Sequence, residues 1–228
     1  MFQLTKGPRK LDLHHFYHIY ADGSWHEPVS EHITALRRNS FDQQLASINI
    51  GLVGSVENTQ AVKQFLNEQN LTYTVIAEQE LGWEQVTLEY LHKFSKENDG
   101  IVIYSHSKGS AHPSPINTSW RRSMEYHNFV EWEIPRQALI DGKYLAGCHW
   151  LVVSRGTPDE NMFYGGTYWW ARCDALRLNS PLGYINRYFA EHWIGQLRHV
   201  LPLVVGQTIL DMTEDTPIAI GYLKDDWI

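Results

Sequence analysis

In the first half of the chain, apolar positions fall into short β-rich runs separated by stretches of helical period. Residues 13–20 (LHHFYHIY), 47–53 (SINIGLV), 72–77 (TYTVIA) and 101–104 (IVIY) are runs rich in branched and aromatic side chains. Turn residues bound them, as at Ala21-Asp22-Gly23 and Asp99-Gly100, and four strands are predicted. Three helices are predicted between them. Residues 28–38 have Ser30 as N-cap, 57–70 carry Val62, Phe65 and Leu66 at helical spacing, and 83–98 place Val86, Tyr90, Leu91 and Phe94 on one side. Short strands alternating with helices imply βαβ units. The expected fold class is therefore α/β, with a mainly parallel central sheet flanked by helices. Such sheets bind ligands beyond the carboxyl ends of their strands, so loops 21–24, 54–56 and 105–112 should share one rim.

The second half is less regular. Residues 117–139 predict a helix broken before Pro135, and 145–153 (LAGCHWLVV) predict a strand. Residues 162–171 (MFYGGTYWWA) begin as a strand, turn at Gly165-Gly166, and run into a helix near 172–177. Another helix is expected over 185–200, with short strands or coil from Gly206 onward. A Gly-Gly pair beside large aromatics means either a close backbone approach to something bulky or a bend in the core.

Composition narrows the class. Hydrophobic residues make up 43% and charged residues 20% of the 228, as in ordinary globular domains, so one domain over 1–228 is expected. Nine Trp and twelve Tyr supply core area and also faces on which bases and sugars stack. The net charge of −7 argues against a protein that coats nucleic acid by neutralising phosphates. Cys148 and Cys173 fit neither a zinc ribbon nor a CxxC pair; reduced, partly buried thiols are the default, with a single disulfide the alternative. The basic N-terminus lacks the apolar run of a secretory signal, and no apolar stretch is long enough to span a bilayer. A soluble cytoplasmic protein is expected.

Candidate chemistry centres on Ser105-His106-Ser107-Lys108-Gly109-Ser110 after the fourth strand. An ammonium, an imidazole, hydroxyls and a permissive glycine suit a phosphate, although the GxxxxGK[ST] spacing is missing and a plain polar turn is the competing reading. Arg121-Arg122 follow on a helix, where neighbours point about 100° apart, so one at most should face the rim. Glu191 lies on a helix after the aromatic turn; it reads as a general base or as an exposed helix acid. His14 and His18 share a strand face, and His106 and His149 could meet, yet no HExxH or zinc spacing occurs. There is no Asp-x-Asp; Glu78-Gln79-Glu80 and Glu131-Trp132-Glu133 are the nearest patterns. No GxSxG or GxGxxG is present.

Taken together, Gly82-Trp83-Glu84-Gln85, Tyr104 to Gly109, Trp120-Arg121-Arg122-Ser123-Met124, Gly147-Cys148-His149-Trp150, residues 163–171 and Glu191-His192-Trp193-Ile194 resemble a group of bacterial and phage glycosyltransferase-like proteins. Those proteins carry a His-Ser/Thr-Lys-Gly loop and a Gly-Gly-aromatic motif, and are distantly similar to galactofuranosyltransferase domains of O-antigen synthesis. The resemblance covers about residues 13–210. It implies a GT-A-like fold with a nucleotide-binding half near 13–112, an acceptor and catalytic half near 113–210, and a C-terminal tail over 211–228. The implied activity is transfer of a sugar from a nucleotide-diphospho-sugar, such as a UDP-sugar, to an acceptor hydroxyl on a glycan, a protein or a modified base in DNA. By the same resemblance Tyr20, Asp22, Trp83, Glu84, Ser105, Ser107, Lys108 and Arg121 would bind the donor. Gly165, Gly166, Trp169 and Trp170 would wall the sugar and acceptor, and Glu191, Lys108 and His106 would be catalytic. Ser105 to Lys108 occupy the place where the family's Asp-x-Asp holds Mn²⁺ or Mg²⁺, so cations of the chain would take over the metal's charge. The alternatives are a non-catalytic nucleotide- or carbohydrate-binding module on the same fold and a histidine-based metal hydrolase.

Overall fold

Strand β1 (Leu13–Tyr20) is flanked by β2 (Leu45–Val53) and β4 (Ile101–His106), parallel to both, and is buried along most of its length on both faces. A strand in that position needs covering from two sides. Helices α1 (His26–Arg37) and α2 (Val56–Glu68) follow β1 and β2, and α3 (Gln85–Glu97) follows β3 (Thr74–Gln79). After β4 come α4 (Pro115–Glu125), a π-helical turn at Tyr126–Val130, α5 (Glu133–Ile140), β5 (Leu145–Gly147), β6 (Trp150–Val153), β7 (Asn161–Tyr164) and β8 (Trp169–Arg172). Short helices α6 (Cys173–Leu176) and α7 (Tyr188–Trp193) and strand β9 (Leu203–Val204) complete the computed structural model, which describes residues 11–153, 161–183, 188–197 and 203–204. The tail expected from Gly206, with 211–228 in it, and part of the helix expected over 185–200 lie outside the described residues.

Among the described residues the main sheet has the order β3-β2-β1-β4-β8-β5-β9, and β6 pairs with β7 apart from it. The β3-β2-β1-β4 half is parallel, and β8 runs antiparallel to both β4 and β5. The expected mainly parallel sheet flanked by helices is present. Alternation along the central strands sorts the core into two layers. Leu13, Tyr17, Ile19, Ile101 and Ile103 pack with Val29, Ile33, Leu36, Val62 and Leu66 of α1 and α2. Phe16, Val102 and Tyr104 pack with Leu88 and Leu91 of α3 and Trp193 of α7.

Polar side chains inside these layers are tied to neighbouring strands and helices. His15 Nε2 lies 2.9 Å from Ser105 Oγ, and His18 Nδ1 lies 2.8 Å from Thr87 Oγ1 on α3. His32 of α1 meets the Glu125 carboxylate of α4 at 2.9 Å. Gly51 of β2 lets α3 come close, because a Cβ there would stand 2.0 Å from Thr87 Oγ1.

Several boundaries differ from expectation, each for a local reason. Helix α1 begins at His26, placing Ser30 inside the helix, where its carbonyl accepts from the Thr34 hydroxyl. Strand β4 continues through Ser105 and His106, because β1 offers His18 as a partner one step beyond Tyr17. The run 145–153 is two strands in separate sheets, broken at Cys148-His149, where His149 takes φ 58°. Residues 169–172 form a strand before the short α6, since β4 and β5 supply ladders on both sides. The break upstream of Pro135 falls at 131–132, and Pro135 sits in the first turn of α5, where its missing N–H costs little. Cys148 and Cys173 are buried free thiols. No helix among the described residues is long and apolar enough to cross a membrane.

Two outcomes test this packing. Gly51→Ala should cost about 1–3 kcal/mol by overpacking against Thr87, read as a lower urea midpoint. Acid should also weaken the fold. Burial lowers the pKa of His18 to about 3 and of His149 to about 4, from an ordinary 6.5. Between those values the unfolded chain binds more protons than the folded one. The stability that these two histidines contribute is therefore fully present above pH 6.5 and is lost as pH falls through 4 and 3. Urea midpoints measured from pH 7 to 4 should drop, and His18→Gln should flatten the slope.

Candidate functional site

The loops at the carboxyl ends of β1, β2 and β4 are stitched into one rim. The Ser24 N–H donates to Ser110 O at 2.8 Å, the Ser107 N–H to His18 O at 2.9 Å, and the Ser55 N–H to Asp22 Oδ1 at 2.7 Å. Gly23 is required where the first and fourth loops touch, since a Cβ there would stand 2.1 Å from Ser110 O. Asp22 accepts from Asn58 as well as from Ser55, so it braces the start of α2; the Asn58 bond first, then the Ser55 N–H, hold its carboxyl below the usual range. Tyr20 is half-buried against Val53, Ala77 and Val86, and its N–H donates to Ser107 Oγ at 3.0 Å.

Beyond the end of β4 the structure brings Glu84 beside Tyr104 and His106, near enough to Lys108 and Glu191 to feel their charges. Glu84 is the residue before α3, and Trp83 beside it is 48% exposed. Glu84 Oε2 accepts from the Tyr104 hydroxyl at 2.9 Å, and Oε1 lies 3.4 Å from His106 Nδ1. His106 Nε2 lies 2.9 Å from the carbonyl of Gly166, which can only accept, so this nitrogen donates. Burial raises the Glu84 pKa to about 8, and the nearby charge of Glu191 adds to the rise, against pulls from Tyr104 and Lys108. Burial, then Lys108 and His18, push His106 well below its ordinary value. The Lys108 ammonium sits 3.9 Å from the centre of the Trp120 ring, a cation–π contact that holds it over the helix α4 side of the rim.

Other expected site residues have different work. Arg121 is buried, with Nε and Nη2 donating to Glu31, Nη2 also to Glu27, and Nη1 to Lys108 O at 2.9 Å. Arg122 grips the other oxygen of Glu31. Instead of clamping a phosphate, Arg121 holds the 107–110 turn from beneath. Ser105 and Ser107 are buried too, their hydroxyls engaged with His15 and the Tyr20 N–H. Trp169 and Trp170 are fully buried on opposite faces of β8, so neither ring is open to a sugar. Gly165 and Gly166 form the turn between β7 and β8; Gly166 has φ 80°, and a Cβ on it would stand 2.4 Å from Met124 Sδ. The bulky neighbour expected at this pair is thus Met124, with Trp120 next to it.

The donors at the end of β4 do not suit Mn²⁺ or Mg²⁺. Such ions need a set of oxygen ligands, whereas here two hydroxyls are turned inward, an ammonium is close by, and Glu84 is hydrogen-bonded within the chain. His14 and His18, candidates for a metal pair, bond separately to Ser47 and Thr87, and His149 bonds to Ser123. Among the described residues no group of three or more His, Cys, Asp or Glu side chains is arranged to hold a metal ion. Sequence reasoning did not anticipate Trp120 as the platform for Lys108, nor Tyr104 as the partner of Glu84. Both depend on contacts across strands and helices that no local spacing announces.

Replacing Arg121 by Ala should act on stability. It breaks a buried pair, for which about 3–5 kcal/mol is typical, less here because Arg122 still serves Glu31. Urea unfolding of Arg121→Ala beside Arg122→Ala should show the larger loss at 121.

No curated protein matches this chain. Among solved structures, 4-diphosphocytidyl-2C-methyl-D-erythritol synthase from Anaerococcus prevotii DSM 20548 is similar with a TM-score of 0.45 and 9% identity, over 85% of this chain and 88% of that one. The bifunctional IspDF from Campylobacter jejuni has a TM-score of 0.41 and 13% identity over 86% of this chain and 50% of its own. A further 4-diphosphocytidyl-2C-methyl-D-erythritol synthase has a TM-score of 0.39 and 11% identity, over 91% and 94%. These likenesses are too distant to carry an assignment of activity. The family model described as DUF8361, a domain of unknown function, matches residues 16–184, a span that runs from within β1 through β8 with the rim and the Glu84–His106–Lys108 cluster, and the chain belongs to that family.

Proposed function

We propose that the chain is a glycosyltransferase of GT-A-like fold that moves a sugar from a nucleotide-diphospho-sugar to an acceptor hydroxyl, with inversion and without a metal ion. The observation that carries this reading is the grouping of Glu84, His106, Lys108 and Glu191 beyond the carboxyl end of a central parallel strand. That is where open α/β sheets bind ligands. The ammonium of Lys108, poised over Trp120, would face the diphosphate and stabilise the negative charge that grows on it as the glycosidic bond breaks. Glu191 would take the proton of the acceptor hydroxyl as that oxygen bonds to the anomeric carbon, and attack from the face opposite the leaving group inverts its configuration. Trp83 and Tyr20 would border the nucleotide, and the Gly165-Gly166 turn would border the sugar.

Thermal shift with UDP- and GDP-sugars, with and without Mn²⁺, tests the donor half. Stabilisation without metal, lost in Lys108→Ala, is expected; no response to any nucleotide would remove the proposal. Glu191→Gln should keep donor binding and lower transfer by ~10²-fold or more. Unimpaired turnover would remove Glu191 as the base.

A further inference from the structure

Two hydrogen-bond acceptors cannot face each other at close range without a proton between them. The Gly166 carbonyl takes the N–H of His106 Nε2, so in a neutral imidazole Nδ1 carries a lone pair. Nδ1 lies 3.4 Å from Glu84 Oε1, while Glu84 Oε2 already accepts from Tyr104. The side chains of Glu84 and His106 are 14% and 18% exposed, so solvent does little to screen the pair. A proton belongs at this point. It resides either on the imidazole, making an ion pair, or on the carboxyl, making a neutral pair.

We propose that Glu84 is a second acid–base group of the site, a neutral carboxylic acid at physiological pH whose O–H is aimed at His106 Nδ1, while Glu191 is its ionised counterpart. The Tyr168 ring beside His106 stays neutral, burial holding its hydroxyl well above its ordinary value, and the other groups around the pair act in one direction or the other. From β4, the Tyr104 hydroxyl bonds the carboxyl; from the following turn, the Lys108 charge disfavours an imidazolium; from β1, His18 does the same; and from α7, the charge of Glu191 opposes a second carboxylate. Burial disfavours both members of an ion pair, and the Glu84 carboxyl titrates at about 8 in consequence. Two carboxyl groups in one site thus take different charge states. Resting on the donor reading above, the consequence for function is that Glu84 sets no negative charge against an incoming diphosphate. Binding of an anion would weaken as Glu84 ionises. Tyr104 and Gly166 act through Glu84 and His106 and are positioning residues.

Infrared spectroscopy of the ligand-free full chain tests the proton assignment without reference to any substrate. The carbonyl stretch of a protonated carboxylic acid should be present at pH 7 and fade as pH rises through about 8. It should be absent in Glu84→Gln and kept in Glu191→Gln. A band that survives Glu84→Gln, or no band in the wild type, overturns the proposal. Nitrogen-15 NMR of His106 gives an independent reading on the wild type if the variant fails to fold: one protonated nitrogen, Nε2, supports the proposal, and two overturn it. UDP is then titrated calorimetrically, since its phosphates are fully ionised above neutral pH. Affinity should fall about tenfold between pH 7 and 9 in wild type and stay level in Glu84→Gln. A wild-type affinity that does not fall overturns the role in binding. If UDP binds to neither protein while the infrared band is present, the nucleotide reading fails and the proton assignment stands.

Discussion

The structure depends on a constraint imposed by its central strands. β1 and β4 are covered on both faces, yet they carry His15, His18, Ser105 and His106, polar groups that lose water on folding. A buried polar group left without a partner costs about 1–3 kcal/mol, so each must find one in a neighbouring element. His15 finds Ser105 across the strand pair, His18 finds Thr87 on α3, and His106 finds the Gly166 carbonyl on the β7–β8 turn. These bonds set how α3 and the β7–β8 turn lie on the sheet more narrowly than apolar contact alone would.

The site grows out of the same requirement. Placing α3 against His18 and Gly51 brings the residue before that helix, Glu84, over Tyr104 and His106. Placing α4 so that Arg121 meets Glu31 brings Trp120 under Lys108 and fixes the carbonyl of Lys108 from below. Buried ion pairs are weak sources of net stability, but losing one partner is costly, so they act chiefly to specify geometry. Arg121 is a clear instance: its charge is consumed in holding the turn from which Lys108 projects.

The first four strands and three helices could be read from the chain because each alternates or repeats within a few residues, as in 47–53 or in Val62, Phe65 and Leu66. The rim followed from the parallel order. What stayed hidden was decided by distant partners. Arg121 and Arg122 look like a surface pair until Glu27 and Glu31 are brought beside them from α1. Trp169 and Trp170 look like a sugar platform in a motif of aromatics, but β8 is an interior strand and both its faces are core. The break at His149 rests on a left-handed backbone that is uncommon outside glycine, sustained by its bond to Ser123 and by the Gly165 N–H on its carbonyl.

The contact between Gly23 and Ser110 has a mechanical consequence. With the Ser24 N–H bonded to Ser110 O and no room for a side chain at 23, the first and fourth loops form a single body. Arg121 ties that body to α1 through Glu27 and Glu31. A ligand that draws Lys108 toward itself therefore cannot bend one short turn alone. It must pull on the loop after β1 and, through Arg121, on the start of the first helix. Adjustment to different ligands is left to the lysine's own flexible stem and to the exposed Trp83 on the other side of the rim.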